Sequence, residues 1–387
     1  MRSAMLIFAV ASALPMFASG VRAGRAAAKI VVSASAPVDG LFVKALVIEA
    51  GDKRAALVVC DLQSIDSALA SAARRAVTEA TGMQPEQIMI STTNTHAAPD
   101  AASIRASLPV QIGEAVAEAA RSLTPVTLSR AVGTEDSVSH YRRYLMKDGT
   151  AQLDPGKRNP ETVQPMGETD PDLAMIHFAP VAIYLNYAMR PESVRGPGYS
   201  ADYPAPLAKL LGKVFGKSTL ALFTLGAAAN VNHIDVKSAS PQKGIAEAVR
   251  LGTVLGGEAI KTSARLQPLE AKGLRFARES VRLPSRAKKA AENEAEVQVI
   301  AIDDQIAWVA LPGEVYVELG RAIKKASPFP VTIVVTLANG DLGVIPTAKA
   351  YKEGGEDVAG SAVAPGGGEM LAEAAIRLLA GAHRAAR

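Results

Sequence analysis

Short runs rich in β-branched residues alternate along this 387-residue chain with longer stretches whose apolar residues recur at helical spacing. Residues 29–33, 42–49, 55–60 and 87–92 read as strands, with the turn Gly51-Asp52 between the second and the third. Further strands are predicted at 126–131, 173–178, 182–187, 220–224, 273–283, 297–302, 306–311 and 331–337. Helices are predicted over 64–81, 101–123, 205–215, 242–266, 315–325 and 369–380. In the first of them Ala and Leu line one face, and Arg74, Arg75 and Glu79 the other. The alternation predicts an α/β fold with a mixed sheet. Residues 134–171, rich in Asp, Gly and Pro, lack periodicity and read as a long surface excursion of a kind that often carries function. Residues 288–292 read as a solvated turn or linker. No repeat with a period of 20–50 residues is visible.

The N-terminus follows a different rule. Met1 and Arg2 precede an apolar run over 4–18, then Ser19-Gly20-Val21-Arg22-Ala23. This reads as a secretory signal peptide over 1–23, cut after Ala23, leaving a single domain over 24–387 that is secreted or periplasmic. An uncleaved anchor is the alternative, although the run is marginal for a bilayer, and no later segment is apolar enough to span. The single cysteine, Cys60, excludes a disulfide framework and any cysteine-rich zinc site. Aromatics at 4% and a net charge of +4 argue against a nucleic-acid partner. Five histidines confine any metal site to a few positions.

Several familiar motifs fail. Gly198-Tyr199-Ser200-Ala201-Asp202 lacks the last glycine of a nucleophile elbow. The stretch from Gly212 to Ser218 is one residue short of a phosphate loop and precedes a strand instead of following one. Gly366-Gly367-Gly368 opens a helix and reads first as a tight turn.

Four other segments belong together. The first joins Val58-Val59-Cys60-Asp61 to Thr93-Asn94-Thr95-His96. The second runs from Asn186-Tyr187-Ala188-Met189-Arg190-Pro191 to Ser200-Ala201-Asp202-Tyr203-Pro204. The third is Gly226-Ala227-Ala228-Ala229-Asn230-Val231-Asn232-His233. The fourth joins Leu311-Pro312-Gly313-Glu314, Ala338-Asn339-Gly340 and Ile345-Pro346-Thr347 to Pro365-Gly366-Gly367-Gly368-Glu369. Their order and spacing resemble the catalytic N-terminal domain of the neutral/alkaline (non-lysosomal) ceramidases, in particular short bacterial members. The resemblance implies the mixed-sheet α/β fold of that domain. The C-terminal β-sandwich of larger members is expected to be missing.

It also implies hydrolysis of an amide by zinc-activated water, with two His, a Glu and a Tyr as ligands. Only Glu314 matches a ligand position. Asn94 and Arg190 stand where ligand histidines are expected, and Val344 where the tyrosine is expected. A second pocket tyrosine is replaced by Glu356, and Asn232 stands where larger members carry a serine nucleophile. His96 and Arg142 align with residues that contact substrate, and Asp61 and Asn339 with pocket positions. A guanidinium cannot ligate zinc, so the expected site is degraded, with zinc absent or weakly bound unless His96, His233, Glu314 and Asp235 rearrange around it. Arg190 pairs with Glu314 if both point inward.

Each retained residue has a plainer reading as well. His96 and Asp61 sit at strand ends, where a side chain often serves only backbone groups. His233 lies in a turn, Glu314 at a helix start and Arg142 in a solvated loop. Two functions follow. One is an exported amide hydrolase with altered metal chemistry, acting on a small-molecule or lipid-like substrate. The other is a noncatalytic protein whose pocket, with Arg142 and Arg190, holds a small anionic or lipid-like ligand. No amphipathic basic or aromatic stretch suggests docking on a membrane.

Overall fold

The computed structural model describes residues 20–30, 39–196, 198–286 and 292–385. The apolar run at the N-terminus, residues 31–33 of the first predicted strand and most of the 288–292 linker lie outside these. The fold is mixed α/β, built from one unit used three times. In the first, strands β1 (Val21–Lys29), β2 (Phe42–Ala50) and β3 (Lys53–Cys60) run antiparallel. Helix α1 (Ser67–Thr81) then crosses over to β4 (Ile88–Thr92), which lies parallel to β3, and α2 (Leu108–Arg121) follows. A parallel neighbour needs such a crossover, and a helix supplies it.

The second unit repeats this order with β5 (Thr127–Thr134), β6 (Asp172–Ala179), β7 (Ala182–Tyr187), α3 (Pro204–Phe215), β8 (Leu220–Leu225) and α4 (Ile245–Ser263). The third has β9 (Leu274–Pro284), β10 (Glu292–Ile302), β11 (Ile306–Ala310), α5 (Val317–Ala326), β12 (Val331–Val335) and α6 (Gly367–Arg384).

Alternation along each strand divides its side chains between two cores. On β2, Val43, Ala45 and Val47 meet Leu69, Ala73, Val77 and Ile112 of the first unit's helices. Leu46 and Ile48 instead join Phe178, Tyr184, Ile300 and Trp308 in a central core that all three sheets share. Sheets two and three have their own helix-covered faces, centred on Leu185, Phe223 and Leu255 and on Val299, Val309 and Leu379. Burial on both faces makes these strands near-continuous apolar runs.

Each of the parallel strands β4, β8 and β12 is one edge of its sheet, and their carboxyl ends are laced together. Thr92 N donates to Leu337 O at 3.3 Å, Thr336 N to Leu225 O at 3.0 Å and Asn339 N to Ile90 O at 2.7 Å. Loops leaving those ends form the pole where ligands of open α/β sheets collect.

Several sequence expectations change. The first described strand is Val21–Lys29, which meets the expected 29–33 only at Lys29; the Arg22 side chain bonds Glu49 across the β1–β2 pair at 2.7 Å, and Ala23 is fully buried. The predicted helix over 101–123 divides into Ala101–Ile104 and α2, restarting where Leu108-Pro109 opens a new first turn. The excursion over 134–171 carries its own small sheet of Arg143–Met146, Ala151–Leu153 and Thr162–Pro165.

Candidate functional site

Five segments at the laced pole bring the charged residues together. After β4, Thr95 Oγ1 donates to Ser200 O at 2.6 Å and His96 N to Pro191 O at 3.3 Å, which fixes the His96 loop against the one that follows β7. That second loop carries Arg190 and Glu192. It is braced by buried Asp202, which accepts from Ser193 Oγ at 2.7 Å and Val194 N at 2.8 Å. Glu314 is placed by a two-residue parallel pairing with Val344. The preceding Gly313 has φ 136°, and a Cβ there would lie 2.8 Å from Gly343 O, so only glycine admits this approach.

Arg190 is the hub. Its Nη2 lies 3.0 Å from His96 Nε2 and 3.2 Å from Glu314 Oε2, while Nε is 3.9 Å from Glu192 Oε2. A guanidinium only donates, so His96 Nε2 accepts and the ring is neutral. Burial, helped by the Arg190 charge, pushes the His96 pKa down to about 4. Burial pushes the Glu314 carboxyl up in spite of Arg190. Glu192 goes the other way. Burial opposes its charge, yet Arg142 and Arg190 hold it at about 2.

Arg142 Nη2 contacts Asp154 Oδ2 at 2.5 Å, and Asn232 Nδ2 donates to Asp154 Oδ1 at 3.1 Å and to Glu192 Oε1 at 2.9 Å. Buried His233 donates through Nε2 to Gln242 O at 2.9 Å, and its Nδ1 has no hydrogen-bond partner. In front lies a cleft of about 520 Å³ whose walls include Asp154, Glu192, Asn232 and His233. Lys157, Arg195 and Lys243 line it as well. Buried atoms Arg190 Nε, His233 Nδ1 and Glu314 Oε2 have no hydrogen-bond partner. Such orphans are uncommon in folded proteins and mark a place where a ligand or water completes the set.

The sequence expectations divide accordingly. His96, Arg142, Arg190 and Glu314 belong to this charge cluster, and Asn232 and His233 line the cleft in front of it. Asp61 instead takes both contacts from Lys44 Nζ, at 2.9 and 2.8 Å. Asn339 joins two sheets, accepting from Ile90 N at 3.0 Å and donating to Gln298 Oε1 at 2.8 Å. Glu356 is exposed at the start of the one-turn helix Glu356–Ala359. Asn94, in the left-handed region with φ 66°, donates to Gln63 O at 3.2 Å. Glu192, Asp154, Arg195, Lys157 and Lys243 were not anticipated; the one available signal was a charge at Glu192, just after the Arg190-Pro191 step.

Zinc is the group the resemblance implies, and these side chains do not fit it. A guanidinium stands against Glu314, and Val344 beside it offers no ligating atom. Among the described residues no group of three or more His, Cys, Asp or Glu is arranged to hold a metal ion.

No family model matches the chain, and no curated protein does either. Solved structures give the class: the chain has the fold of the bacterial neutral ceramidases. It superposes on the neutral ceramidase from Pseudomonas aeruginosa with a TM-score of 0.79 at 14% identity, over 95% of this chain and 75% of that one. A ceramidase complexed with C2 gives 0.77 at 14% identity, over 93% and 75%. At this identity the likeness concerns the fold.

Proposed function

We propose that this chain is a ceramidase-fold protein that has given up zinc chemistry and uses the cleft to hold a small anionic ligand, a carboxylate or a phosphate. The observation that carries this is Arg190, whose guanidinium sits between His96 and Glu314 where the resemblance calls for a metal ligand. Arg142, Arg190, Lys157, Arg195 and Lys243 face Asp154, Glu192 and Glu314, and burial pushes Glu314 toward its neutral form. Cations exceed carboxylates, and an anion entering from the cleft restores the balance. Guanidinium groups suit the task because their donors match carboxylate and phosphate oxygens in pairs.

Titration of the purified full chain with inorganic phosphate and short dicarboxylates, beside elemental analysis for zinc, tests this. The expected result is saturable anion binding, lost in Arg190→Met, with little zinc. Zinc near one equivalent per chain, together with amide hydrolysis, sinks the reading. The triple variant Asn94→His, Arg190→His, Val344→Tyr checks the alignment itself: if it acquires zinc, the ligand positions are assigned correctly.

A second reading, amide hydrolysis without metal, is favoured by one observation. A neutral His96 and a buried Glu314 with a raised pKa share the Arg190 contact, an acid and a base in one place. Turnover of short N-acyl amides that is abolished in Glu314→Gln supports it.

Export is part of the proposal. Residues Val21 to Ala23 pair with β2, so a cut after Ala23 removes part of a built strand, whereas a cut between Gly20 and Val21 leaves β1 whole. N-terminal sequencing of the exported protein decides between them.

A further inference from the structure

Helices α3 and α4 present a surface that no other part of the described residues matches. Among the described residues, three of the seven exposed large apolar side chains lie here: Val214 at 51%, Ile245 at 42% and Val249 at 48%. Ile245 and Val249 are one turn apart on α4 and so share a face. Across a groove of about 410 Å³ they meet Lys209 and Lys213 of α3, also one turn apart. The same two lysines, with Lys217, border a second groove of about 430 Å³ on the other side of α3, floored by Phe42, Ala208 and Leu220. Lysine heads therefore form a ridge between two apolar troughs.

No salt bridge ties down the charge on this ridge among the described residues, and Lys209, Lys213 and Lys217 are all exposed. Asp39 is the one carboxylate lining the first groove and offsets a single positive charge there, its oxygens held by Ser200 Oγ and Ala201 N at 2.6 Å each. Asp61, behind the second groove, is fully buried and paired with Lys44.

We infer that this face docks on an anionic lipid surface, with headgroup phosphates on the lysine ridge and Val214, Ile245 and Val249 entering the interfacial layer. Charge complementarity and exposed branched aliphatics on one side of the molecule fit that partner. The face also borders the candidate site, since Lys243 lines the cleft and Ile245, two residues on, lines the groove. Docking would open the cleft beside the membrane. The inference does not depend on what the cleft holds. A continuous amphipathic stretch is absent because lysines and aliphatics come from segments some 30 residues apart, which the fold brings together.

Co-sedimentation of the full chain with vesicles tests it, using phosphatidylcholine alone and an equal mixture of phosphatidylcholine and phosphatidylglycerol. Binding is expected only to the mixture, weakening as salt rises. Each lysine at an anionic surface contributes roughly fivefold, so Lys209→Gln, Lys213→Gln and Lys217→Gln together lower affinity on the order of 100-fold. Ile245→Ser with Val249→Ser lowers it severalfold. All five positions are exposed, so an unchanged thermal unfolding midpoint confirms that the variants are folded. No binding to the mixed vesicles, equal binding to both kinds, or wild-type binding by the triple lysine variant overturns the proposal. So does capture of an acidic protein by a chain that ignores vesicles.

Discussion

Arg142 and Arg143 are neighbours in sequence, yet they enter two different kinds of buried charge cluster. Arg143 is almost fully buried, and its terminal nitrogens reach Asp357 at 2.9 Å, Tyr316 Oη at 3.0 Å, Gly354 O at 2.9 Å and Glu353 at 3.2 Å. Its guanidinium also lies over the Tyr316 ring, and the Tyr316 hydroxyl bonds Asp357. Every partner belongs to the short helices at 348–359 or to the strand end at Tyr316, so this cluster fastens the 134–171 excursion to the third unit. Arg142 joins Asp154 and, through Glu192, Arg190 and Glu314. That group faces a cleft and keeps orphaned polar atoms. Arg143 Nε is unpartnered too, so what separates the two is the cleft: one cluster turns its charges on one another, and the other presents them to an open space.

The largest expected effect breaks the first cluster. Arg143→Met leaves Asp357 and Glu353 without their buried cation, a loss of about 3–5 kcal/mol. Arg190→Met is expected to cost roughly 1 kcal/mol, because Glu192 keeps Arg142 and Arg195 and Glu314 is already pushed toward its neutral form. Urea unfolding of both variants measures the difference. Equal losses would erase the distinction between a fastening cluster and an open one.

A smaller effect separates the two by pH. Burial lowers the folded His96 pKa from 6.5 to about 4, so above 6.5 both folded and unfolded chains hold it neutral. As pH falls from 6.5 toward 4, the unfolded chain takes up the proton and the folded one does not, which destabilises the fold by up to about 3 kcal/mol. Glu192 acts lower: its depressed pKa gives stability that is full above its ordinary value of 4.5 and is lost as pH falls toward about 2. His140 and His177, also lowered by burial, share the upper window, so the measurement is the difference between wild type and His96→Gln. The variant is expected to show a shallower loss of stability between pH 6.5 and 4. An unchanged slope would mean that His96 is not buried neutral beside Arg190.

How much of this was legible in sequence follows from what fixes each part. A strand such as β11 is apolar on both faces, and its composition alone announces it. By contrast β1 reads VRAGRAAAK, poor in β-formers. Pairing with β2 on one side and the short strand Thr124–Pro125 on the other makes it a strand, so context overrides propensity. The threefold reuse of one unit was hidden because it lives in connectivity and burial, which many different sequences satisfy. At the site, motif positions drew attention to Arg190 and Glu314. Glu192, Asp154 and Lys243 escaped, because a charge in a loop is ordinarily solvated and only the folded chain shows which ones converge.

The smallest effect is the sharpest discriminator, because it compares two exposed lysines, one near each cluster. Lys243 lines the cleft, with no salt bridge among those of the described residues. Lys349 is 76% exposed and sits 3.4 Å from Glu353 beside the Arg143 cluster. Neither contributes much to stability, and Lys243→Gln and Lys349→Gln should each change it by no more than about 0.5 kcal/mol. Anion affinity should part them. Lys243 adds long-range attraction to whatever enters the cleft, so its loss weakens phosphate or dicarboxylate binding by about three- to fivefold, more at low salt than at high. Lys349→Gln should leave that affinity unchanged. Calorimetric titration of both variants at two salt concentrations makes the comparison. A response shared by both lysines would reduce the cleft's selectivity to the protein's overall charge, and the open cluster would then have no claim to a ligand of its own.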